Sequence, residues 1–122
     1  MKRDEVWLKE KLENIWEMLF PEVARENNVH VKFRGKSLRR FGCIKRNGKD
    51  SLIEINSLFK NEIVPEYAID ITLAHELIHY MHGFNSPLPR KYKHPHKGGI
   101  VDKELIKRGF GHSLKLEKVW AK

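Results

Sequence analysis

Apolar residues open the chain at three- and four-residue intervals. Val6, Leu8, Leu12, Ile15, Trp16, Leu19 and Phe20 fall along one face of a helix running from Asp4 to about Phe20, and Pro21 stops it. From Val29 the period drops to two. Val29, Val31 and Phe33 alternate with polar residues, Phe41-Gly42-Cys43-Ile44 follows, and Leu52-Ile53-Glu54-Ile55 comes after the turn sequence Arg46-Asn47-Gly48-Lys49. This predicts strands near 29–34, 40–45 and 51–56, the last two joined as a hairpin because Asn and Gly both tolerate positive φ. Beyond Pro65, a suitable first-turn residue, Ala68, Ile69, Ile71, Thr72, Leu73, Ala74, Leu77, Ile78 and Met81 make a nearly continuous apolar helix that Gly83 closes. Pro87, Pro89 and Pro95 mark a loop. Gly98-Gly99 then leads into a shorter helix from Ile100 to Arg108, ended by Gly109, and His112 to Lys122 adds a last helical turn or two.

The elements add up to an α+β fold: an N-terminal backing helix, a small three-stranded and mainly antiparallel sheet, an apolar central helix and a shorter C-terminal helix. A length of 122 residues suits one domain spanning 1–122, with 110–122 as a regulatory tail. Charge changes the picture more than size does. The formal net charge is +8, and the cations gather in Lys32, Arg34, Lys36, Arg39, Arg40, Lys45, Arg46 and Lys49 and again in Arg90, Lys91, Lys93 and Lys97, which favours an acidic partner such as DNA. Cys43 is the only cysteine, so neither an internal disulfide nor a multi-thiolate zinc site is available. No apolar run approaches the roughly 20 residues that span a bilayer and the N-terminus has no signal-peptide core, which predicts a soluble cytoplasmic protein with no membrane partner.

The chemistry concentrates in His75-Glu76-Leu77-Ile78-His79, inside the most apolar helix. Two histidines four apart project from one helical face a turn apart and can reach a single zinc ion. Glu76, beside the first, is placed to take a proton from water at the open coordination position. Two imidazoles and a carboxylate against buried-type neighbours would be costly without a partner, and a metal supplies one. A hydrolytic site needs a third protein ligand. Downstream candidates are His82, His94, His96, His112, Asp102 and Glu104, and His96 is preferred because its loop can bring an imidazole back over the first two just before the next helix. His82, on the same helix, is read as a surface or capping residue.

The order of these motifs resembles the SprT-like and Spartan-type metalloproteases and the very small peptidases called minigluzincins. The likeness rests on His75-Glu76-Leu77-Ile78-His79, then His96-Lys97-Gly98-Gly99, then Ile100 to Leu105 and Gly109. It implies a zincin-like fold, Zn2+ held by His75, His79 and His96, and Glu76 as general base and acid of a zinc metalloendopeptidase. Gly111-His112-Ser113-Leu114 also looks like the family's third-ligand segment, so His112 is the alternative ligand, and Glu104 would follow from a thermolysin-like pattern. Tyr92 and His94 are candidate oxyanion donors, and the strand residues Ile53, Ile55 and Asn56 a candidate edge for an extended peptide.

The Spartan-type resemblance implies action on protein bound to DNA. The minigluzincin resemblance implies latency through the C-terminal segment, within one chain or exchanged between copies as a homo-oligomer. A competing expectation from another class is a nucleic-acid-binding module with a structural zinc closed by His75, His79, His96 and His112.

Overall fold

The computed structural model describes residues 2–37 and 39–120, the last three of these by backbone alone. Helix α1 covers Glu5–Leu19, where the Asp4 carboxylate caps it by accepting from the Trp7 amide at 2.9 Å. Its buried stripe is Leu8, Leu12, Ile15 and Trp16, four of the residues spaced for one face. The Trp16 indole donates to the carbonyl of Val23 at 3.0 Å, which folds the chain back after Pro21.

Three strands follow: β1 (Val29–Phe33), β2 (Gly42–Asn47) and β3 (Asp50–Ile55). Their spatial order is β1-β3-β2, with β1 parallel to β3 and β2 antiparallel to it, so the sheet is mixed rather than mainly antiparallel. The alternation that marks β1 reports burial and carries no information on strand direction. In the hairpin Asn47 pairs with Asp50, leaving Gly48 and Lys49 as the turn. Gly48 takes the positive φ of 62° and Asn47 stays in the strand, so the turn falls one residue later than the Asn-Gly signal places it.

Helix α2 (Glu66–Met81) is the centre of the molecule and packs against α1, β2, β3 and the two later helices. Pro65 stands at its N-cap, one position before the first helical residue. At its other end His82 is the C-cap and Gly83 takes φ 85°, so that the Gly83 amide reaches the carbonyl of Tyr80 (3.0 Å) and the Phe84 amide that of His79 (2.9 Å). That pair of bonds is the Schellman closure, and only a residue without Cβ adopts it cheaply. Helix α3 (Ile100–Lys107) ends the same way at Gly109, with φ 100°. Arg108 then clasps the bundle: it donates to the Leu19 carbonyl, Glu22 and Glu104, and lies over the ring of Phe20.

Helix α4 (Gly111–Trp120) turns the expected turn or two into a ten-residue helix, anchored by the buried Leu114. Of the stretch 110–122, residues 121 and 122 lie outside the described residues, as does the side chain of Trp120. No helix among the described residues is long and apolar enough to cross a membrane.

Candidate metal centre

A helix buried on nearly every side carries the site. His75, Glu76 and His79 lie in the second half of α2, where Leu73, Ala74, Leu77 and Ile78 are fully buried and hold the helix in place. Spacing by four turns both imidazoles to one side, and their rings meet edge to face with centroids 4.7 Å apart. His96 comes from the loop before α3. Gly98 (φ 72°) and Gly99 (φ 66°) are both left-handed, and an added Cβ would meet nothing at either. Backbone conformation, not space, asks for glycine there.

The three Nε2 atoms converge: His75 to His79 is 3.0 Å, His79 to His96 3.0 Å and His75 to His96 3.2 Å. Neutral imidazoles cannot satisfy a closed triangle of this kind, since each carries one N–H and three lone pairs would otherwise crowd together. Two zinc–nitrogen bonds of about 2.0–2.1 Å at a tetrahedral angle set their nitrogens about 3.3–3.4 Å apart, close to what is seen. The residues fit a divalent ion, and they are the three whose ligand atoms cluster among the described residues.

Electrostatics agree with that fit. Burial, the facing His96 and, in the opposite sense, Asp102 bring His75 down to about 4. Burial together with His75, His96 and His82 brings His79 down to about 3, so both rings are bare ligands at neutral pH. Burial pushes the Glu76 carboxyl up to about 8, against the pull of Arg40. The Nδ1 of His79 is buried with no hydrogen-bond partner among the described residues, and packing against Phe84 (6.1 Å, edge to face) holds the ring instead.

Compared with family models, curated proteins and solved structures, the chain gives no match.

His75, Glu76 and His96 line a cleft of about 370 Å³ whose other walls are Arg39 to Gly42 and Glu117 of α4. The alternative ligands stay outside the cluster. His112 is exposed on the first turn of α4, and Glu104 is ion-paired with Arg108 at 2.7 Å. Among the described residues, four histidines closing one site, as a structural zinc would need, are not assembled. Tyr92 packs on His82 at 4.8 Å in a different cleft, and His94 is exposed and lines neither. His82 does cap α2, but its side chain is buried rather than on the surface.

The predicted edge at Ile53, Ile55 and Asn56 is not one. Strand β3 is central, paired on both sides, and Ile53 and Ile55 are fully buried, so neither they nor Asn56 offers a free edge. The strand beside the site is β2. Gly42 lies so close to α2 that an added Cβ would stand 2.8 Å from Thr72 Cγ2 and 2.9 Å from the Glu54 carbonyl. The register turns the peptide groups of Gly42, Ile44 and Arg46 outward, and Asn85 already occupies the Ile44 carbonyl at 3.0 Å. Asn56 instead clamps the preceding loop. Its amide donates to the carbonyls of Ser37 and Arg40, and its own backbone N–H reaches Phe41 at 2.8 Å. A glycine at the mouth of a strand beside an aromatic was the available signal for this close approach.

Proposed function

We propose that this chain is a zinc metalloendopeptidase of zincin-like architecture. One observation carries the reading: three imidazole nitrogens converge within 3.2 Å of each other with the buried carboxyl of Glu76 beside them in an open cleft. His75, His79 and His96 would hold the ion. A zinc ion bound there supplies a Lewis acid for the scissile carbonyl and lowers the pKa of water towards about 7. Glu76, which a cation bound beside it would favour as the carboxylate, would accept the proton that water gives up and pass it to the departing amine nitrogen. The outward peptide groups of Gly42 can align an extended substrate along β2, so that main-chain pairing rather than any single side chain sets its direction. Tyr92, away from this cleft, is not given the oxyanion role.

Replacing Glu76 by Gln separates enzyme from binding module. The expected result is loss of peptide hydrolysis by at least about a hundredfold with zinc content retained at one ion per chain. Unchanged hydrolysis would remove Glu76 as the base.

A second reading concerns state rather than chemistry. Glu117 on α4 lines the same cleft as His75 and Glu76, which supports latency through the C-terminal segment. Glu117→Ala should then raise turnover of a short peptide several-fold, and a fall would count against a covering role. Contact with DNA through the basic patches and a cytoplasmic location belong to the same proposal.

A further inference from the structure

The cleft is asymmetric in charge. On the wall formed by the loop into β2, Arg39 and Arg40 both face the space beside His75, Glu76 and His96. Of the other arginines, Arg25 is paired with Glu13, Arg34 with Glu54 and Arg108 with Glu22 and Glu104, while Arg3 and Arg46 donate to backbone carbonyls and Arg90 lies over Phe84, none of them on this cleft. Neither Arg39 nor Arg40 forms an ion pair with a described residue. Both are exposed, yet their backbone is pinned. Asn56 Nδ2 holds the Ser37 and Arg40 carbonyls, and the Arg39 amide donates to Ser37 Oγ at 3.1 Å. A loop tied at those points fixes where the two side chains leave the backbone, and the charge of Arg40 is felt at Glu76.

Such an arrangement costs something. Cations beside a metal-binding cluster disfavour the ion by repulsion, so two of them on the wall of the cleft call for an anionic group that arrives there. Glu117 lines the same cleft from α4 without an ion pair to either arginine, and Glu76 is kept for proton transfer. We infer that Arg39 and Arg40 form an acidic-residue subsite, and that this protein recognises peptides carrying an aspartate or glutamate side chain close to the scissile bond. The inference rests on the peptidase reading for the word scissile and on the cleft alone for the recognition. Guanidinium suits the task because its fork of donors meets a carboxylate in two parallel bonds.

The test uses the full chain and three peptide series, identical except for Glu, Gln or Lys placed at successive positions around the cleaved bond. With zinc bound, kcat/KM for the best Glu peptide should exceed that of its Gln counterpart by about tenfold in dilute buffer, and the ratio should shrink as salt shortens the reach of the charges to about 3 Å near 1 M. Arg40→Gln should bring the ratio to within about twofold of one, and Arg40→Glu should invert the order of the Glu and Lys peptides. Each ratio is taken within one protein, so a variant of reduced activity still reports. Fluorescence anisotropy of the same labelled peptides on the zinc-free protein supplies a readout independent of turnover. Equal binding and equal hydrolysis of the Glu and Gln peptides would overturn the subsite and leave the peptidase reading intact. Charge-selective binding with no peptide hydrolysed would do the reverse, leaving an acidic-peptide binding module.

Discussion

Removing two imidazoles from water and burying a carboxyl next to them makes the site a source of instability that its own protons reveal. In the unfolded chain His75 and His79 protonate near pH 6.5, whereas in the fold they stay neutral down to about 4 and about 3. Between those limits the unfolded chain binds more protons, so stability is lost as pH falls below 6.5. Glu76 acts in the opposite sense. Its folded value of about 8 against an ordinary 4.5 means that the fold keeps a proton the unfolded chain gives up, and stability is lost as pH rises from 4.5 to 8. Two protons outweigh one below 6.5, and only the carboxyl acts above it. For the zinc-free protein the cluster therefore contributes a stability maximum near pH 6.5, measurable by urea unfolding across pH. In Glu76→Gln the decline above 6.5 should disappear while the acid limb steepens. A profile unaltered by that change would show that Glu76 is not held protonated.

The motif on α2 was legible at residue level because a helix fixes the relative placement of residues four apart. His96 was legible for a weaker reason, a flexible-looking loop followed by Gly-Gly and a helix, and the two left-handed glycines show what that pair does. Arg39 and Arg40 were legible only as part of a basic patch and Asn56 only as an edge residue, not as the wall of the cleft and the clamp behind it. Their placement depends on hydrogen bonds between a loop and a strand end far apart in sequence.

At the scale of elements, the contact between β2 and α2 decides the width of the cleft. Gly42 is where they touch, and one methyl group there collides with Thr72 and with the backbone of Glu54, which cannot swing aside. Gly42→Ala should destabilise the fold by about 1–3 kcal/mol, the usual range for overpacking, and shift the cleft-facing loop with it. Thermal unfolding measures the first, and a change in KM exceeding any change in zinc affinity would report the second. An unaltered melting temperature would mean that the strand yields freely. The same scale holds the main departure from expectation. The boundaries of α1, α2 and α3 followed from caps and glycines within a residue or two, whereas the length of α4 and the strand order did not follow, the latter because a five-residue alternating stretch pairs equally well on either side and in either direction. A hairpin announces its own partner. A parallel pair formed across a twenty-two-residue separation, as Val29 with Ser51, does not.

For the molecule as a whole, the ligands join parts that are otherwise held separately. His75 and His79 belong to the packed centre, while His96 is exposed on a loop with little burial of its own. Metal loading should therefore stiffen and stabilise the fold. With free zinc about 1,000-fold above its Kd the gain is about 4 kcal/mol, on the order of 10 °C in Tm for a chain of this size, and chelation should reverse it. No shift in Tm on adding or removing zinc would argue against a site formed by these three residues.

The parallel pairing of β1 with β3 also orders events in time. During synthesis β1 leaves the ribosome well before the strand it pairs with exists, while β2 and β3 can close their two-residue turn within microseconds. The hairpin is thus the earliest piece of sheet available, and β1 docks onto a template already made. The three clustered histidines follow from segments still later in the chain, His96 last of all. A newborn molecule therefore has its scaffold before it has its chemistry.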